Sequence, residues 1–129
     1  MQKITPFLMF QGKCKPALDL YQKTFPDFEL LEYAEYPDTG ELKGQVQMAT
    51  FSIKGQRIIC NDSSIKHAFD FTPSFSLFID CDDETEQDHY FNSLSKGGFT
   101  LMPLDNYGFS RRFAWVADPC GISWQINLP

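Results

Sequence analysis

The sequence predicts an α+β fold in which two tandem βαβββ modules make up a single domain over residues 1–129. In each half, an apolar strand pattern is followed by one amphipathic helix and then by three further strands. Two landmarks also recur: a Thr-Pro pair at residues 5 and 72, 67 positions apart, and turn glycines at residues 55 and 121, 66 positions apart. Nearly constant spacing favours duplicated halves. We therefore expect a first module over residues 1–62 and a second over residues 72–129.

The first module opens with an apolar strand from Ile4 to Phe10, which the turn signal Gln11-Gly12 ends. A helix is predicted over residues 15–25, because apolar residues recur there every four positions and Pro16 suits a first helical turn. Three strands follow. They are predicted over residues 28–36, 45–53 and 56–61, with Val46 and Met48 on the same face of the middle strand.

A polar segment over residues 62–72 is predicted to be a linker or surface loop, after which the pattern restarts. The strand 75–80 leads into Asp83, which has Glu86 three residues later and so forms a capping-box signature for a second helix ended by Gly97-Gly98. The next strand, 99–104, carries Pro103 and should lie at a sheet edge. Two further strands, 112–117 and 122–128, complete the second module.

Composition excludes several classes of protein. A chain of 129 residues, 43% hydrophobic and 16% aromatic with 13 Phe, can bury its own core and is not disordered. Its net charge of −6, without a Lys/Arg cluster, argues against nucleic-acid and anionic-membrane partners. The apolar runs are far shorter than the ~20 residues of a membrane span, and residues 1–6 lack a signal-peptide pattern. We therefore predict a cytoplasmic protein.

The four cysteines, Cys14, Cys60, Cys81 and Cys120, are widely spaced and form no CxxC pair. Even with His67 and His89 they lack the short ligand spacing of a zinc site. Four reduced thiols are the expected state, although their number would permit disulfides.

Five segments of the sequence are similar to segments of a known superfamily. They are Ile4 to Phe10, Ala17 to Tyr21, Gly55-Gln56, Tyr107 to Ser110 and, most specific of all, Trp115 to Gln125. The chain resembles the vicinal oxygen chelate superfamily, which includes glyoxalase I, extradiol dioxygenases and the bleomycin- and fosfomycin-resistance proteins. Within it, the chain most resembles the PhnB-like group, often labelled 3-demethylubiquinone-9 3-methyltransferase-like. The resemblance covers essentially the whole chain.

The resemblance implies that each module curls into an open sheet and that the two sheets enclose a cleft. In metal-dependent members, His and Glu side chains in that cleft bind the metal. The corresponding positions here fall near Pro6, Ser74, Gln125 and either Ile59 or Asn61. None of these is a good ligand for a divalent transition metal. We therefore expect the fold without its metal and without another cofactor. The methyltransferase label has no support, since a nucleotide-binding Gly-rich turn is missing from the sequence.

The predicted ligand-binding residues are Asn61, Tyr107, Arg111, Trp115 and Gln125. A neutral amide such as Asn61 or Gln125 can orient a ligand through hydrogen bonds, although each could equally satisfy neighbouring backbone. Tyr107 and Arg111 fall in a loop that the resemblance places at the cleft mouth, where Arg111 could pair with an anion or simply balance surface acids. Trp115 is an aromatic candidate for the lining, and so are three phenylalanines, each with ordinary core packing as the alternative: Phe7, Phe51 and Phe113.

Few titratable groups are placed for catalysis. His67 is expected in an exposed loop and His89 on a helix surface, while a Cys60–His67 nucleophilic pair would require the loop to fold back. The acidic run over residues 80–88 lacks the pattern of a calcium loop and is expected to cap the second helix.

Three functions remain open on the sequence. The first is a metal-independent protein that binds an apolar or aromatic small molecule in the cleft. The second is a lyase- or isomerase-type enzyme of the same fold with altered chemistry. The third is a non-catalytic structural or regulatory dimer. A homodimer is expected in each case, because the resemblance implies that members pair.

Overall fold

The structure is a computed structural model of the chain and describes residues 3–129. It contains eight strands and two helices within that range. In chain order they are β1 (Phe7–Phe10), α1 (Cys14–Thr24), β2 (Glu29–Glu35), β3 (Val46–Ile53), β4 (Gln56–Asp62), β5 (Ser76–Asp80), α2 (Glu84–Ser95), β6 (Phe99–Asp105), β7 (Arg112–Ala117) and β8 (Ser123–Leu128).

The chain folds as two compact units, Met1–Ala68 and Phe69–Pro129. Each contains one four-stranded mixed sheet and one helix, with strand orders β1-β4-β3-β2 and β5-β8-β7-β6. In both sheets the first strand pairs in parallel with the last strand, and the remaining pairs are antiparallel. The predicted α+β class with two βαβββ modules is therefore confirmed.

In the first unit, α1 lies against one face of the sheet. Its Tyr21 ring lies 5.8 Å from that of Phe51 on β3, and Phe28 stacks on the same ring at 5.5 Å. Phe51 is fully buried there, so it belongs to the core, which is one of the two interpretations that the sequence left open for it. Buried aromatic and aliphatic side chains on this face form the core between α1 and the sheet.

The predicted face of Val46 was also wrong. Ala34 pairs with Met48 and Glu35 with Val46, so the strand register skips Gln47 as a β-bulge does. The extra residue reverses the alternation, and Val46 is fully buried whereas Met48 is 44% exposed.

Asp62 is the last residue of β4 and not the first residue of a polar loop, as the sequence suggested. Its side chain is buried and accepts hydrogen bonds from three main-chain N–H groups. These belong to Gly12 (2.7 Å), Cys14 (3.0 Å) and Val46 (3.0 Å). One carboxylate therefore joins the start of α1 to two strands.

In the second unit, α2 begins as predicted, with Asp83 accepting from the Glu86 N–H at 2.8 Å. Gln87 on α2 is fully buried and donates to the carbonyl of Ile126, while Arg112 donates to the Gln87 side chain. These bonds fix which face of the sheet α2 covers. β6, which carries Pro103, lies at the sheet edge as expected.

The strand registers show which repeat landmarks are equivalent. Phe7 pairs with Ile59 on β4, and Phe78 pairs with Gln125 on β8, with Ile59 and Gln125 both four residues after the turn glycines. The glycines are therefore matched, as predicted. The Thr-Pro pairs are not matched, because Pro6 directly precedes β1 whereas Pro73 lies three residues before β5.

Candidate functional site

One face of the second sheet, on the side opposite α2, brings together three of the five predicted site residues. Neighbouring strands align Phe78, Gln125, Trp115 and Met102 in one row across all four strands. Paired residues on adjacent strands point to the same face. We call this face, with its row and the adjoining rings of Tyr107 and Phe109, the aromatic face.

A chain of side-chain hydrogen bonds holds the polar members of this face. The Trp115 indole donates to the Ser123 hydroxyl at 2.7 Å, and the Ser123 and Ser76 hydroxyls lie 2.6 Å apart. Gln125 Nε2 donates to the Ser76 hydroxyl at 3.3 Å. Because its amide nitrogen donates to Ser76, the Gln125 side chain is oriented by this bond, and its carbonyl oxygen Oε1 points away from the bonded hydroxyl. No partner for that oxygen is found among residues 3–129.

Aromatic rings from a strand and a loop border the row. Phe113 contacts the rings of Phe109 (4.9 Å, edge-on), Tyr107 (6.1 Å, edge-on) and Phe78 (6.3 Å, tilted). Phe113 is buried, whereas Phe78 and Phe109 are 56% and 62% exposed. The buried ring therefore supports three rings that remain open to contact.

Tyr107 lies where the sequence placed it, in the loop after β6. Its hydroxyl donates to the Pro103 carbonyl at 2.6 Å, so the ring orientation is fixed by a polar bond as well as by its neighbours. Glycine at the next position, Gly108, has φ +99° and lets the chain turn between the Tyr107 and Phe109 rings.

Arg111 is exposed, and its Nε donates to the main-chain oxygen of Pro129 at 2.6 Å. The guanidinium therefore binds a main-chain oxygen of the same chain, which is the contact expected of a structural side chain. Its role toward an anionic ligand stays a prediction.

Asn61 belongs to the first unit, on β4, beside Met9 and on the face away from α1. Its Oδ1 is buried and has no hydrogen-bond partner within the described chain. A buried carbonyl oxygen without a partner is costly, which makes Asn61 a position where a ligand N–H or O–H would be accepted.

The sequence reasoning missed Phe78, Phe109, Ser76 and Ser123 as members of the site. The two phenylalanines looked like ordinary strand and loop residues, and the serines gave no signal. Only the strand register aligns Phe78 with Gln125 and Ser76 with Ser123.

A pocket of about 250 Å³ lies in the first unit between α1 and β2, separate from the aromatic face. At one end, the Tyr33 hydroxyl donates to Glu35 at 2.6 Å, and Lys15 lies 3.3 Å from the same carboxylate oxygen. Desolvation of the phenol and the hydrogen bond to Glu35 raise the pKa of Tyr33 well above its ordinary range. The same bond, followed by Lys15, lowers the pKa of Glu35.

The two histidines do not join the aromatic face. His67 is half-buried, with its Nε2 2.9 Å from the Ser63 hydroxyl, and the His89 ring lies 5.9 Å from that of Tyr90. Cys60 contacts Cys14, with the two sulfurs 3.4 Å apart, a proximity that sequence spacing gave no reason to expect.

Comparison with known proteins decides the family. The family model described as 3-demethylubiquinone-9 3-methyltransferase matches residues 2–127. The chain belongs to this family. Among curated proteins, the chain is similar to protein YjdN of Escherichia coli K12, with 24% identity over 97% of this chain and 94% of that protein.

Solved structures place the family among glyoxalase-like folds. A putative 3-demethylubiquinone-9 3-methyltransferase, PhnB protein, from Bacillus cereus is 43% identical, with a TM-score of 0.94 over 99% of this chain and 100% of that one. A glyoxylase/bleomycin resistance protein/dioxygenase domain from Frankia shares 16% identity, with a TM-score of 0.67 over 99% and 98% of the two chains. The latter likeness shows the fold, and the predicted glyoxalase-like fold and PhnB-like group are confirmed.

The positions that the resemblance matches to metal ligands carry poor donors for a divalent metal. Pro6 has no side-chain donor atom, and Ile59, which the register matches to Gln125, is a hydrocarbon. Ser74 is hydrogen-bonded to Thr72, and Gln125 offers only a neutral amide. Across residues 3–129, no group of three or more His, Cys, Asp or Glu side chains is arranged to hold a metal ion.

No helix among residues 3–129 is both long enough and apolar enough to cross a membrane.

Proposed function

We propose that this chain binds an apolar or aromatic small molecule on the aromatic face, without a metal. The observation that carries the proposal is the exposed set of rings around buried Phe113, beside the oriented amide of Gln125. Ligand sites combine apolar walls with a few fixed polar groups, and this face has both.

The aromatic part of the face supplies the apolar contact. Phe78 and Phe109 leave more than half of their surface open, and Tyr107 is 38% exposed. Covering such rings with another ring contributes about 0.5–1.5 kcal/mol per aromatic pair beyond the area buried. Since Tyr107 is held by its hydroxyl bond and Phe113 by burial, little ordering of side chains is needed on binding.

The polar part of the face gives orientation. Gln125 Oε1 accepts a hydrogen bond from a ligand N–H or O–H, because Nε2 is committed to Ser76. We infer that the preferred ligand carries such a donor beside an aromatic body. Metal independence is supported by the chemistry of the residues at the positions that the resemblance matches to metal ligands, which are Pro6, Ser74, Gln125 and either Ile59 or Asn61.

A thermal-shift screen of neutral compounds of one to three aromatic rings, with and without a hydrogen-bond donor, tests the proposal. We expect a subset with donors to raise the Tm, and EDTA to leave the shift unchanged. Trp115 is half-buried in the row while Trp124 is fully buried, so quenching of tryptophan fluorescence reports binding at Trp115.

Two matched variants locate the site. Phe109→Ala should weaken binding about tenfold, a change of about 1.4 kcal/mol. Phe75→Ala removes a ring of similar exposure (60%) directly before β5, outside the row and away from the Tyr107 and Phe109 rings, and should leave the affinity unchanged. No compound raising the Tm, loss of binding with EDTA, or a loss confined to Phe75→Ala would each contradict the proposal.

We also propose that the chain forms a homodimer. Supporting this, the described second unit leaves three further phenylalanines about 60% exposed, namely Phe69, Phe75 and Phe99. Exposed apolar surface of this extent is typical of protein contacts. Sedimentation equilibrium is expected to give twice the chain mass of 14.8 kDa. A single species at the chain mass at micromolar concentration would contradict the dimer.

We further propose a cytoplasmic location, which the free state of all four cysteines supports. Cell fractionation with thiol trapping is the test. The chain should be recovered in the cytoplasmic fraction with trapped thiols, and recovery from an oxidising compartment would contradict this proposal.

A further inference from the structure

Two buried thiols in the first unit lie in contact, although 46 positions separate them in the chain. Cys14 Sγ and Cys60 Sγ are 3.4 Å apart, and both residues are fully buried. Cys14 is the first residue of α1, and Cys60 lies within β4 on the face that α1 covers. This pair has no part in the aromatic face, which belongs to the second unit.

Hydrogen bonds on both sides hold the pair together. The Cys14 N–H donates to the buried carboxylate of Asp62, two residues along β4 from Cys60. Cys60 is paired with Leu8 on one side and Ala49 on the other, in the interior of the sheet. Both sulfurs therefore sit on backbone that is fixed independently of their mutual contact.

We propose that Cys14 and Cys60 are a redox-sensitive pair that forms a disulfide when the protein meets a peroxide. One thiolate sulfur attacks a peroxide oxygen, the O–O bond breaks, and a sulfenic acid forms while the leaving hydroxide takes a proton to become water. The second thiolate attacks the sulfenic sulfur, the S–O bond breaks, and hydroxide leaves and is protonated. Two thiols and one hydrogen peroxide thus give one disulfide and two waters.

The geometry needs little movement. Closing the sulfurs from 3.4 Å to a bonded separation of about 2 Å requires a displacement of about 1.4 Å, within the range of side-chain torsion changes. Because both thiols are fully buried, hydrogen peroxide reaches them when the chain opens locally and breaks the Asp62 hydrogen bonds at the start of α1.

The other two cysteines provide internal comparisons. Cys81 is buried in the second unit, and Cys120 is half-buried in the turn before β8. A reaction governed by accessibility alone would modify Cys120 first. A reaction governed by proximity would consume Cys14 and Cys60 together.

The test treats the intact native chain with hydrogen peroxide, followed by alkylation and peptide mapping without reduction. We expect one cross-linked peptide containing Cys14 and Cys60, a mass lower by two hydrogen atoms, and reversal by dithiothreitol. Because the bond would close a loop that spans α1, β2 and β3, the oxidised chain should also show a Tm higher by about 5–10 °C.

Cys60→Ala should abolish both the cross-link and the Tm rise, whereas Cys120→Ser, a matched removal of the more accessible thiol, should retain both. If Cys60→Ala does not fold, peptide mapping of the unaltered chain still decides the question. The proposal is overturned if Cys14 and Cys60 stay alkylatable while Cys120 is oxidised. It is equally overturned if the cross-link joins other cysteines or two chains.

Discussion

Replacing Asp62 by alanine should strongly destabilise the first unit, because this polar residue is buried and bonded to the main chain. The side chain is 1% exposed and accepts three main-chain N–H groups, from the β1–α1 turn, from α1 and from β3. Asp62→Ala leaves all three donors buried without an acceptor, since the cavity left by the carboxyl group is too small for three waters.

The magnitude follows from those three bonds. An unsatisfied buried donor costs about 1–3 kcal/mol, so three donors give a loss of about 3 kcal/mol at the lower end. That loss corresponds to a fall in Tm of about 10 °C for a chain of this size. Asp62→Asn keeps one oxygen but turns an N–H₂ toward the remaining donor, so its loss should be intermediate, about 1–3 kcal/mol.

Urea unfolding followed by circular dichroism measures the loss, and Asp38→Ala, an exposed aspartate, is the matched control with an expected change within about 0.5 kcal/mol. Amide hydrogen exchange adds a local readout, because Gly12, Cys14 and Val46 should lose protection in Asp62→Ala. A loss below about 1 kcal/mol, or unchanged protection at these amides, would refute the reasoning that one carboxylate joins α1 to β3 and β4.

Three further predictions concern other parts of the chain. Gly98→Ala should lower the free energy of unfolding in urea by about 2 kcal/mol or more, because the added Cβ would collide with a main-chain oxygen of β7. Gly108→Ala is the control: its φ is positive but the space around it is open, so the loss should be only about 1 kcal/mol. Equal losses in the two variants would contradict this prediction. Tyr33→Phe should raise the Glu35 pKa toward its ordinary value in a carboxyl NMR titration. Because folding lowers the Glu35 pKa, the ionised carboxylate stabilises the folded chain at neutral pH, and this stabilisation is lost as the pH falls through the folded pKa. A loss of stability in Tyr33→Phe that grows in acid would refute the assignment. Asn61→Leu should leave stability unchanged or raise it by up to about 1 kcal/mol, since it removes a buried oxygen without a partner, and a clear loss on denaturation would show that the amide is structural.

Periodicity in the sequence was sufficient for the elements and for their order. The capping residue Asp83 and the edge position of β6 follow from local chemistry, namely an N-cap carboxylate and a proline that cannot donate to a strand on both sides. These predictions held because each depends on residues a few positions apart. The face of Val46 could not be predicted, because the bulge at Gln47 exists only in the register with β2.

The residues of the candidate site could likewise be predicted only in part from the sequence. Amides and aromatic residues could be proposed from the sequence, so Gln125, Trp115 and Tyr107 were named. The neighbours of Gln125 could not, because Ser76 and Phe78 lie 47 or more positions away from it and meet it only in the parallel β5–β8 pair. The same holds for Cys14 and Cys60, whose proximity arises from packing α1 on β4.

By itself the sequence determined a duplicated α+β chain with a PhnB-like pattern and poor metal ligands at the expected positions. The tertiary structure decided which residues share a face: the row of Phe78, Gln125 and Trp115, the carboxylate of Asp62 inside the core, and the rings gathered on Phe113. The physical reason is that local propensity acts over one turn or one strand, whereas register and burial are set by the free energy of packing the whole sheet against its helix.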